Sequence, residues 1–240
     1  MRLIVLGIMA SIAMCGAARA NDVRVQFAGC RSDGQTGTLA PPKDNGTAPR
    51  FPAAIASRLS WYASNSTGGV LAPRGWHCFE LYGSNGSLLM VTPDGFGRDP
   101  FKAKLSGPAI QLSVSLGETS GRFEAAKIAA RMFPNRKAFV NSVIEEDIEP
   151  KADFIFGPFP HDRIQRLTPN YVAFETPANN DGMGTKTRLV KSSDPIQGLV
   201  WMDDDNNATL LAVRLPPNQR DLAAQIIASM SPSLNANDKH

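Results

Sequence analysis

The sequence predicts an α+β fold built mainly from antiparallel sheet, with about four helices. Residues 109–116 alternate between apolar and polar side chains, as in a strand with one buried face. Residues 122–133 and 136–147 instead carry apolar side chains at helical spacing. Short strands joined by turns, together with separate helical segments, indicate layers of antiparallel sheet and helix.

The other predicted strands are short, and Asn85-Gly86 is a strong hairpin turn between two of them. They cover residues 23–27, 78–82, 88–91, 171–175, 196–202 and 208–215.

Two further helices complete the expected four. Over residues 52–64, Ile55, Leu59 and Tyr62 recur at spacings of four and three, which predicts a helix with one apolar face. Residues 216–230 begin with two prolines, which suit the first turn of a helix, and continue with a helical apolar pattern.

Residues 1–20 have the features of a cleavable signal peptide. Arg2 supplies a positive charge, residues 3–14 form an uncharged apolar run, and residues 18–20 (Ala-Arg-Ala) form a small-x-small cleavage site. The apolar run is shorter than the roughly 20 residues that span a bilayer, so cleavage after Ala20 is favoured over a retained anchor helix.

Removal of the signal peptide changes what the composition implies. The chain of 240 residues has 25 basic and 22 acidic side chains and a net charge of +3, and the loss of Arg2 and Arg19 reduces the basic count to 23. This balance excludes a strongly basic nucleic-acid binder. A lipid anchor at Cys15 is a poor alternative because Met14, not a small residue, precedes it. We therefore expect a periplasmic or secreted protein with no transmembrane segment after cleavage and no nucleic-acid partner.

Export leaves two cysteines, Cys30 and Cys78, in a compartment where disulfides persist. We expect them to be bonded to each other. A catalytic thiol at Cys78 with His77 as its base is one alternative, but adjacent side chains on a strand point to opposite faces. Two free buried thiols are the other alternative.

Two segments of the chain resemble each other at an offset of 84–87 residues. The repeated residues are Thr92-Pro93, Asp94–Gly97 and Pro108–Gln111, matched by Thr176-Pro177, Asp181–Gly184 and Pro195–Gln197. The pattern raises two possibilities, duplicated α+β halves or chance, since such turns are common in loops. Duplication would divide the chain into residues 21–134 and 135–232, followed by a flexible tail at 233–240.

Catalytic signatures are missing from the sequence. There is no serine-hydrolase elbow, phosphate-binding loop or dinucleotide fingerprint, so we expect no cofactor. None of His77, His161 and His240 has a partner at the spacing of a helical zinc motif, so we expect no metal. Separate structural or surface histidines are favoured over a site in which His77 and His161 meet Asp162 or Asp181.

The densest cluster of recognition residues lies at residues 72–79, which include Arg74, Trp76 and His77. In a structural interpretation, Trp76 packs over the predicted disulfide and Arg74 pairs with a carboxylate. In a functional interpretation, the cluster is a binding surface, because Trp and Arg are favoured at binding hot spots.

Residues 70–79 (VLAPRGWHCF) and 82–87 (YGSNGS) resemble the signature of an exported bacterial family without assigned function. Residues 29–35 (GCRSDGQ) and 174–178 (FETPA) are similar to further pieces of it. This resemblance implies an envelope location and no particular reaction. Residues 171–230 also resemble PsbP/Mog1-like α+β modules, in architecture only, and a shared fold does not license a function.

These observations predict an exported, non-catalytic protein that binds an envelope protein or a small ligand. The predicted contact surface is the segment that contains Arg74, Trp76 and His77, followed by the loops at Asp94 and Asp181. A periplasmic hydrolase with a His-centred polar site is the first alternative, and a structural envelope component is the second.

Overall fold

The structure of the chain, a computed structural model, describes residues 22–231. The predicted signal peptide, residues 1–20, and the predicted tail, residues 233–240, lie outside the described residues. The strands are β1 (Asp22–Arg24), β2 (Gln26–Gly29), β3 (Arg31–Gly34), β4 (Arg50–Pro52), β5 (Leu59–Ala63), β6 (Gly69–Pro73), β7 (His77–Gly83), β8 (Gly86–Thr92), β9 (Ala109–Ser115), β10 (Arg163–Thr168), β11 (Tyr171–Thr176), β12 (Ile196–Met202) and β13 (Ala208–Arg214). The α-helices are α1 (Ala53–Ala56), α2 (Arg122–Met132), α3 (Lys137–Glu145) and α4 (Ala223–Ala228).

Eight strands form one large sheet in the order β10-β11-β12-β13-β9-β8-β7-β3. All neighbours in it are antiparallel except β3 and β7, which are parallel. A second sheet contains β2, β5 and β6, and β1 pairs with β4. The prediction of an α+β protein with mainly antiparallel sheet is confirmed, and residues 22–231 contain the expected four α-helices.

The large sheet buries apolar side chains on both faces, because successive residues of a strand point to opposite sides. On β13, Leu210 and Ala212 belong to one core, whereas Leu211 and Val213 belong to the other. The first core includes residues of α2 and α3, and we call this side of the sheet the helix face. The second core includes residues of the three-stranded sheet and of α4.

The predicted disulfide between Cys30 and Cys78 is present and joins positions separated by 48 residues. It links the residue before β3 to β7. On the chain-entropy model, closing a loop of this length contributes about 4 kcal/mol to stability.

Glu80, two residues further along β7, is a fully buried carboxylate. It accepts hydrogen bonds from Ser32 Oγ at 2.5 Å, from Ser64 Oγ at 2.8 Å and from the Thr67 N–H at 2.6 Å. Thr67 Oγ1 and the Ser66 N–H donate to it as well. Burial alone would raise the pKa of Glu80, but the hydrogen bonds outweigh burial and lower it. A charged Glu80 therefore ties β3, β7 and the β5–β6 turn together.

The predicted helix at 52–64 is wrong. α1 covers only one turn, and Leu59 and Tyr62 lie on β5. β5 is the middle strand of the small sheet, and four of its five residues are buried. A strand buried on both faces has apolar residues at nearly every position, and this run happened to reproduce a helical spacing.

Other elements also differ from expectation. β3, β4 and β10 were not predicted as strands, the predicted strand at 23–27 is divided into β1 and β2, and one turn is shifted. β3 has a polar sequence that resembles a turn, and it forms a strand because it pairs with β7. β10 is an exposed strand at the edge of the large sheet, so it lacks the alternation of a half-buried strand.

The hairpin turn lies at Ser84-Asn85, one residue earlier than predicted, and Gly86 begins the return strand with a φ of 141°. A Cβ on Gly86 would lie 1.9 Å from the carbonyl oxygen of Val114, which explains the glycine.

Strands from both predicted segments, residues 21–134 and 135–232, belong to the same large sheet. β8 ends at Thr92 and β11 ends at Thr176. Four antiparallel steps separate these two strands, so they run in the same direction and both Asp-Gly-x-Gly loops follow the same end of the sheet. Duplication of the two segments stays a prediction.

Candidate binding cleft

A cavity of about 920 Å³ lies on the helix face, over strands that α2 and α3 leave partly uncovered. Its floor includes Leu81 of β7, Leu88 of β8 and Ser113 of β9, which stand directly opposite one another in the sheet. Cavities of 300–1,000 Å³ are typical of small-molecule sites. The incomplete cover of this face therefore produces a concave site of suitable size.

The floor is polar along β9. Gln111, Ser113 and Ser115 all line the cavity, and they form the polar face that the alternation of this strand predicts. Gln111 is only 3% exposed, and its Oε1 accepts a hydrogen bond of 2.7 Å from the Arg188 N–H. The polar face of β9 therefore faces a cleft and not open solvent.

One wall of the cavity is α2, which contributes Phe123, Glu124 and Ile128. The residue before this helix, Gly121, lies against the β7–β8 turn: a Cβ there would be 2.0 Å from the carbonyl oxygen of Asn85. The close approach fixes the start of α2 beside the floor, and a larger residue would push the helix away from it.

Another wall is the segment Lys186–Arg188, which two backbone hydrogen bonds hold in place. The Leu105 N–H donates to the Arg188 carbonyl at 2.8 Å, and the Val190 N–H donates to the Leu105 carbonyl at 3.0 Å. Leu105 and Leu189 thereby form a parallel β-bridge. The two segments that follow the Asp-Gly-x-Gly loops meet at this bridge.

Arg214, 1% exposed, lies behind this wall. Its Nε donates to the Gly107 carbonyl at 2.8 Å, its Nη1 donates to the Val190 carbonyl at 2.6 Å, and its Nη2 donates to the Leu105 carbonyl. Burial lowers the pKa of Arg214, and the charge of Asp194 opposes that effect in part. One buried guanidinium thus holds both loop segments. It also keeps the segment Lys186–Arg188 in position, and we call this segment the basic wall.

A second cavity of about 290 Å³ adjoins the first and shares Glu124, Ile128 and Lys186 with it. Phe159 lines this cavity. The Arg131 guanidinium lies 4.1 Å from the centre of the Phe159 ring, and the Lys186 ammonium lies 5.9 Å from it. We call the two cavities together the cleft.

Lys127 is the one lysine of the cleft whose charge is neutralised within the described residues. Its Nζ lies 2.5 Å from Glu149 Oε2 and 3.6 Å from Asp153 Oδ2. Burial alone would lower the pKa of Lys127, but these carboxylates outweigh burial and raise it.

Three other cations of the cleft, Arg131, Lys186 and Arg188, make no ion pair with any residue in the range 22–231. Arg131 Nη1 donates to the Gly157 carbonyl at 3.2 Å. Burial lowers the pKa of Arg131, with a smaller opposing effect from Asp162. The cleft therefore holds positive charge that the surrounding protein does not neutralise.

Glu124 is the carboxylate that lines both cavities. Its side chain is exposed to solvent. Burial raises the pKa of Glu124, and the charges of Lys127 and Lys186 offset this only in part.

Large apolar side chains lie exposed at the edges of the cleft. Phe101, 46% exposed, lines the first cavity, and Ile155, 50% exposed, lines the second. Each cavity therefore has an exposed large apolar side chain in its lining.

The predicted contact residues Arg74, Trp76 and His77 line neither cavity. Arg74 is exposed, and its Nη2 donates to the Ala56 carbonyl at 3.1 Å, whereas the structural interpretation had expected a carboxylate partner. Trp76 is half-buried and packs against the second core, which contains Cys30. His77 is exposed at the start of β7.

The other two predicted contact residues, Asp94 and Asp181, are exposed. The structure brings the Asp94 loop close to His77, since a Cβ on Gly95 would lie 4.0 Å from His77 Cδ2. Asp181 pairs instead with Lys191 of its own loop at 2.6 Å. The five predicted contact residues therefore do not form one cluster, and their role as contacts stays a prediction.

Asp162, one of the carboxylates considered for a metal site, holds a loop in place. Asp162 accepts hydrogen bonds from Thr176 Oγ1 and the Met183 N–H, both at 2.7 Å, and so holds the loop at 181–184. Residues 22–231 contain no group of three potential metal ligands. In the same range, no helix has both the length and the apolar character needed to cross a membrane.

Comparison of the chain with family models, curated proteins and solved structures gives no match. The resemblance to an exported bacterial family therefore stays a prediction, and the site has to be interpreted from its own geometry.

Sequence reasoning did not identify the residues of the cleft. Glu124 and Lys186 are 62 positions apart and belong to no motif. The one usable signal was the polar face of β9, because a polar stripe on a strand in the interior of a sheet indicates that part of that face is uncovered.

Proposed function

We propose that the protein is an exported binding protein of the bacterial cell envelope and that the cleft holds its ligand. The observation that carries this proposal is the pair of joined cavities, which combine a polar floor, exposed apolar side chains and unneutralised cations. A pocket of this size that combines apolar walls with a few fixed polar groups is the usual form of a ligand site.

Several features support binding by a preformed site. The floor belongs to three hydrogen-bonded strands, and the basic wall is fixed by Arg214 and by the bridge between Leu105 and Leu189. A rigid site loses little conformational entropy when a ligand enters, which favours affinity.

The test uses N-phenyl-1-naphthylamine, an uncharged apolar dye whose fluorescence rises in apolar surroundings. Ser113→Trp places a large side chain on the cleft floor and should weaken dye binding at least about tenfold, equivalent to about 1.4 kcal/mol. Ser142→Trp is the matched control, because Ser142 is exposed on α3 and lines neither cavity. Equal dye affinity in both variants would refute the cleft as the binding site.

The surface around Arg74, Trp76 and His77 is our proposal for contact with a partner protein, since Arg74 and His77 are both exposed. Affinity capture from periplasmic extract should recover fewer partners with the double variant Arg74→Ala/Trp76→Ala than with wild type. The same set of partners with both proteins would refute this surface.

A further inference from the structure

The cleft contains more positive charge than its own carboxylates neutralise. Lys127 has two carboxylate partners, whereas Arg131, Lys186 and Arg188 have none within residues 22–231. Glu124 lines the same cavities but forms no ion pair with any of these three cations. Arg131 and Arg188 are partly buried, whereas Lys186 is exposed at the cleft. A partly desolvated charge without a partner costs free energy, which an anion in the cleft would recover.

The segment that carries two of these cations is held firmly. The backbone N–H of Arg188 donates to the buried Gln111, and Thr187 Oγ1 donates to the Gly184 carbonyl at 2.7 Å. On the other side of the segment, Leu105 accepts and donates backbone hydrogen bonds. Lys186 and Arg188 therefore reach the cleft from a fixed backbone, as in a preorganised anion site.

Apolar groups lie in the same cavity as these cations. Leu81 and Leu88 are half-buried on the floor, Phe123 lies on the helix wall, and Phe101 is 46% exposed at the edge. Covering such side chains with the apolar part of a ligand is favourable because it removes apolar surface from water. An occupant that satisfies both features has an anionic group attached to an apolar body.

We infer that the cleft selects an anionic amphiphile, whose carboxylate or phosphate group binds between Lys186 and Arg188 while its apolar body covers Leu81 and Leu88. Arg131 adds positive charge in the adjoining cavity. This inference rests on the proposed function, because it names the class of ligand for the same cleft.

Two dyes with similar aromatic bodies test it. 1-Anilinonaphthalene-8-sulfonate carries a sulfonate, and N-phenyl-1-naphthylamine does not. The variant Lys186→Met/Arg188→Met should bind the sulfonated dye at least about tenfold more weakly, because it removes two cations that would donate hydrogen bonds to the sulfonate, while binding of the uncharged dye changes less than about twofold. Lys43→Met, an exposed lysine outside the cleft, is the matched control and should leave both dyes unaffected.

The outcomes distinguish ligand binding in the cleft from the specificity of the cleft for anions. If Ser113→Trp weakens binding of both dyes but Lys186→Met/Arg188→Met changes neither, the cleft binds ligands and the anionic specificity is refuted. If Ser113→Trp has no effect on either dye, the proposed function itself fails. Thermal unfolding of each variant, monitored by circular dichroism, shows that the protein is folded in every comparison.

Displacement of the uncharged dye identifies the anion. Dodecanoate and dodecyl phosphate supply the two anionic groups on the same chain, and dodecanol supplies the chain alone. Displacement of the dye from the wild-type protein by either anion, at least about tenfold more effectively than by dodecanol, supports the inference and identifies which group is preferred. Dodecanol that competes as well as both anions would overturn it.

Discussion

Replacement of Glu80 by glutamine tests whether one buried charge ties the N-terminal part of the chain to the large sheet. Glu80 is 0% exposed and accepts hydrogen bonds from Ser32, Ser64, Ser66 and Thr67. The glutamine amide would keep the shape and one acceptor oxygen but lose the charge. Any change in stability therefore reports on the carboxylate and not on a cavity.

The structure gives an approximate magnitude for this change. Hydrogen bonds to a charged group contribute about 1.5–3 kcal/mol each, against about 1 kcal/mol for neutral pairs. Because glutamine retains some of the bonds, we expect Glu80→Gln to lower the free energy of unfolding by about 2 kcal/mol at pH 7. Glu80→Ala should cost about 4 kcal/mol, because the N–H groups of Ser66 and Thr67 and several hydroxyl groups lose their acceptor.

The effect should depend on pH with a definite sign. The pKa of Glu80 is lowered in the folded protein, so its contribution is fully present above the ordinary pKa of about 4.3 and is lost as the pH falls towards the folded value. The difference in unfolding free energy between wild type and Glu80→Gln should shrink below pH 4.3 by up to about 1.4 kcal/mol per pH unit.

Urea unfolding followed by tryptophan fluorescence between pH 3 and pH 7 measures this difference, with the disulfide intact in all proteins. Trp61 and Trp76 both pack against the second core and report on its unfolding. Glu118→Gln is the matched control, because Glu118 is exposed and makes no ion pair within residues 22–231. A wild-type advantage over Glu80→Gln that is the same at pH 3.5 and pH 6 would refute the reasoning.

Three more predictions concern stability, each measured by urea unfolding. Arg214→Lys keeps the charge but lacks the planar fork that reaches three carbonyl groups, so a loss of about 2–3 kcal/mol is expected, and a loss below about 0.5 kcal/mol would contradict the role of the fork. Reduction of the disulfide between Cys30 and Cys78 should lower the unfolding free energy by about 4 kcal/mol, and equal stability with and without reductant would count against this bond. Gly86→Ala should cost about 3 kcal/mol, since its φ is 141° and the new Cβ would meet the Val114 carbonyl, whereas a neutral result would show that the turn can move freely.

Local patterns in the sequence were sufficient where one face of an element is apolar and the other is polar. β9 alternates because Ile110 and Leu112 belong to the second core, whereas Gln111, Ser113 and Ser115 line the cleft. α2 lies where the helical spacing of apolar residues predicted a helix. The disulfide was predictable for a different reason: with Cys15 assigned to the predicted signal peptide, Cys78 is the one cysteine left in the given sequence to pair with Cys30. The sequence by itself thus determined the fold class, most of the strands and the bond between β7 and the N-terminal segment.

Tertiary structure decided the elements that are buried on both faces or on neither. β5 is buried on both faces, so its sequence does not alternate between apolar and polar residues. β10 lies at an exposed edge of the sheet, and its sequence does not alternate either. The residues of the cleft could also be identified only from the tertiary structure. Glu124 and Lys186 line the cleft because the start of α2 and a distant loop both lie beside β9, and that juxtaposition depends on strand order, which no local spacing encodes. Periodicity records how one element is buried, whereas a site between elements exists only once the sheet has brought them together.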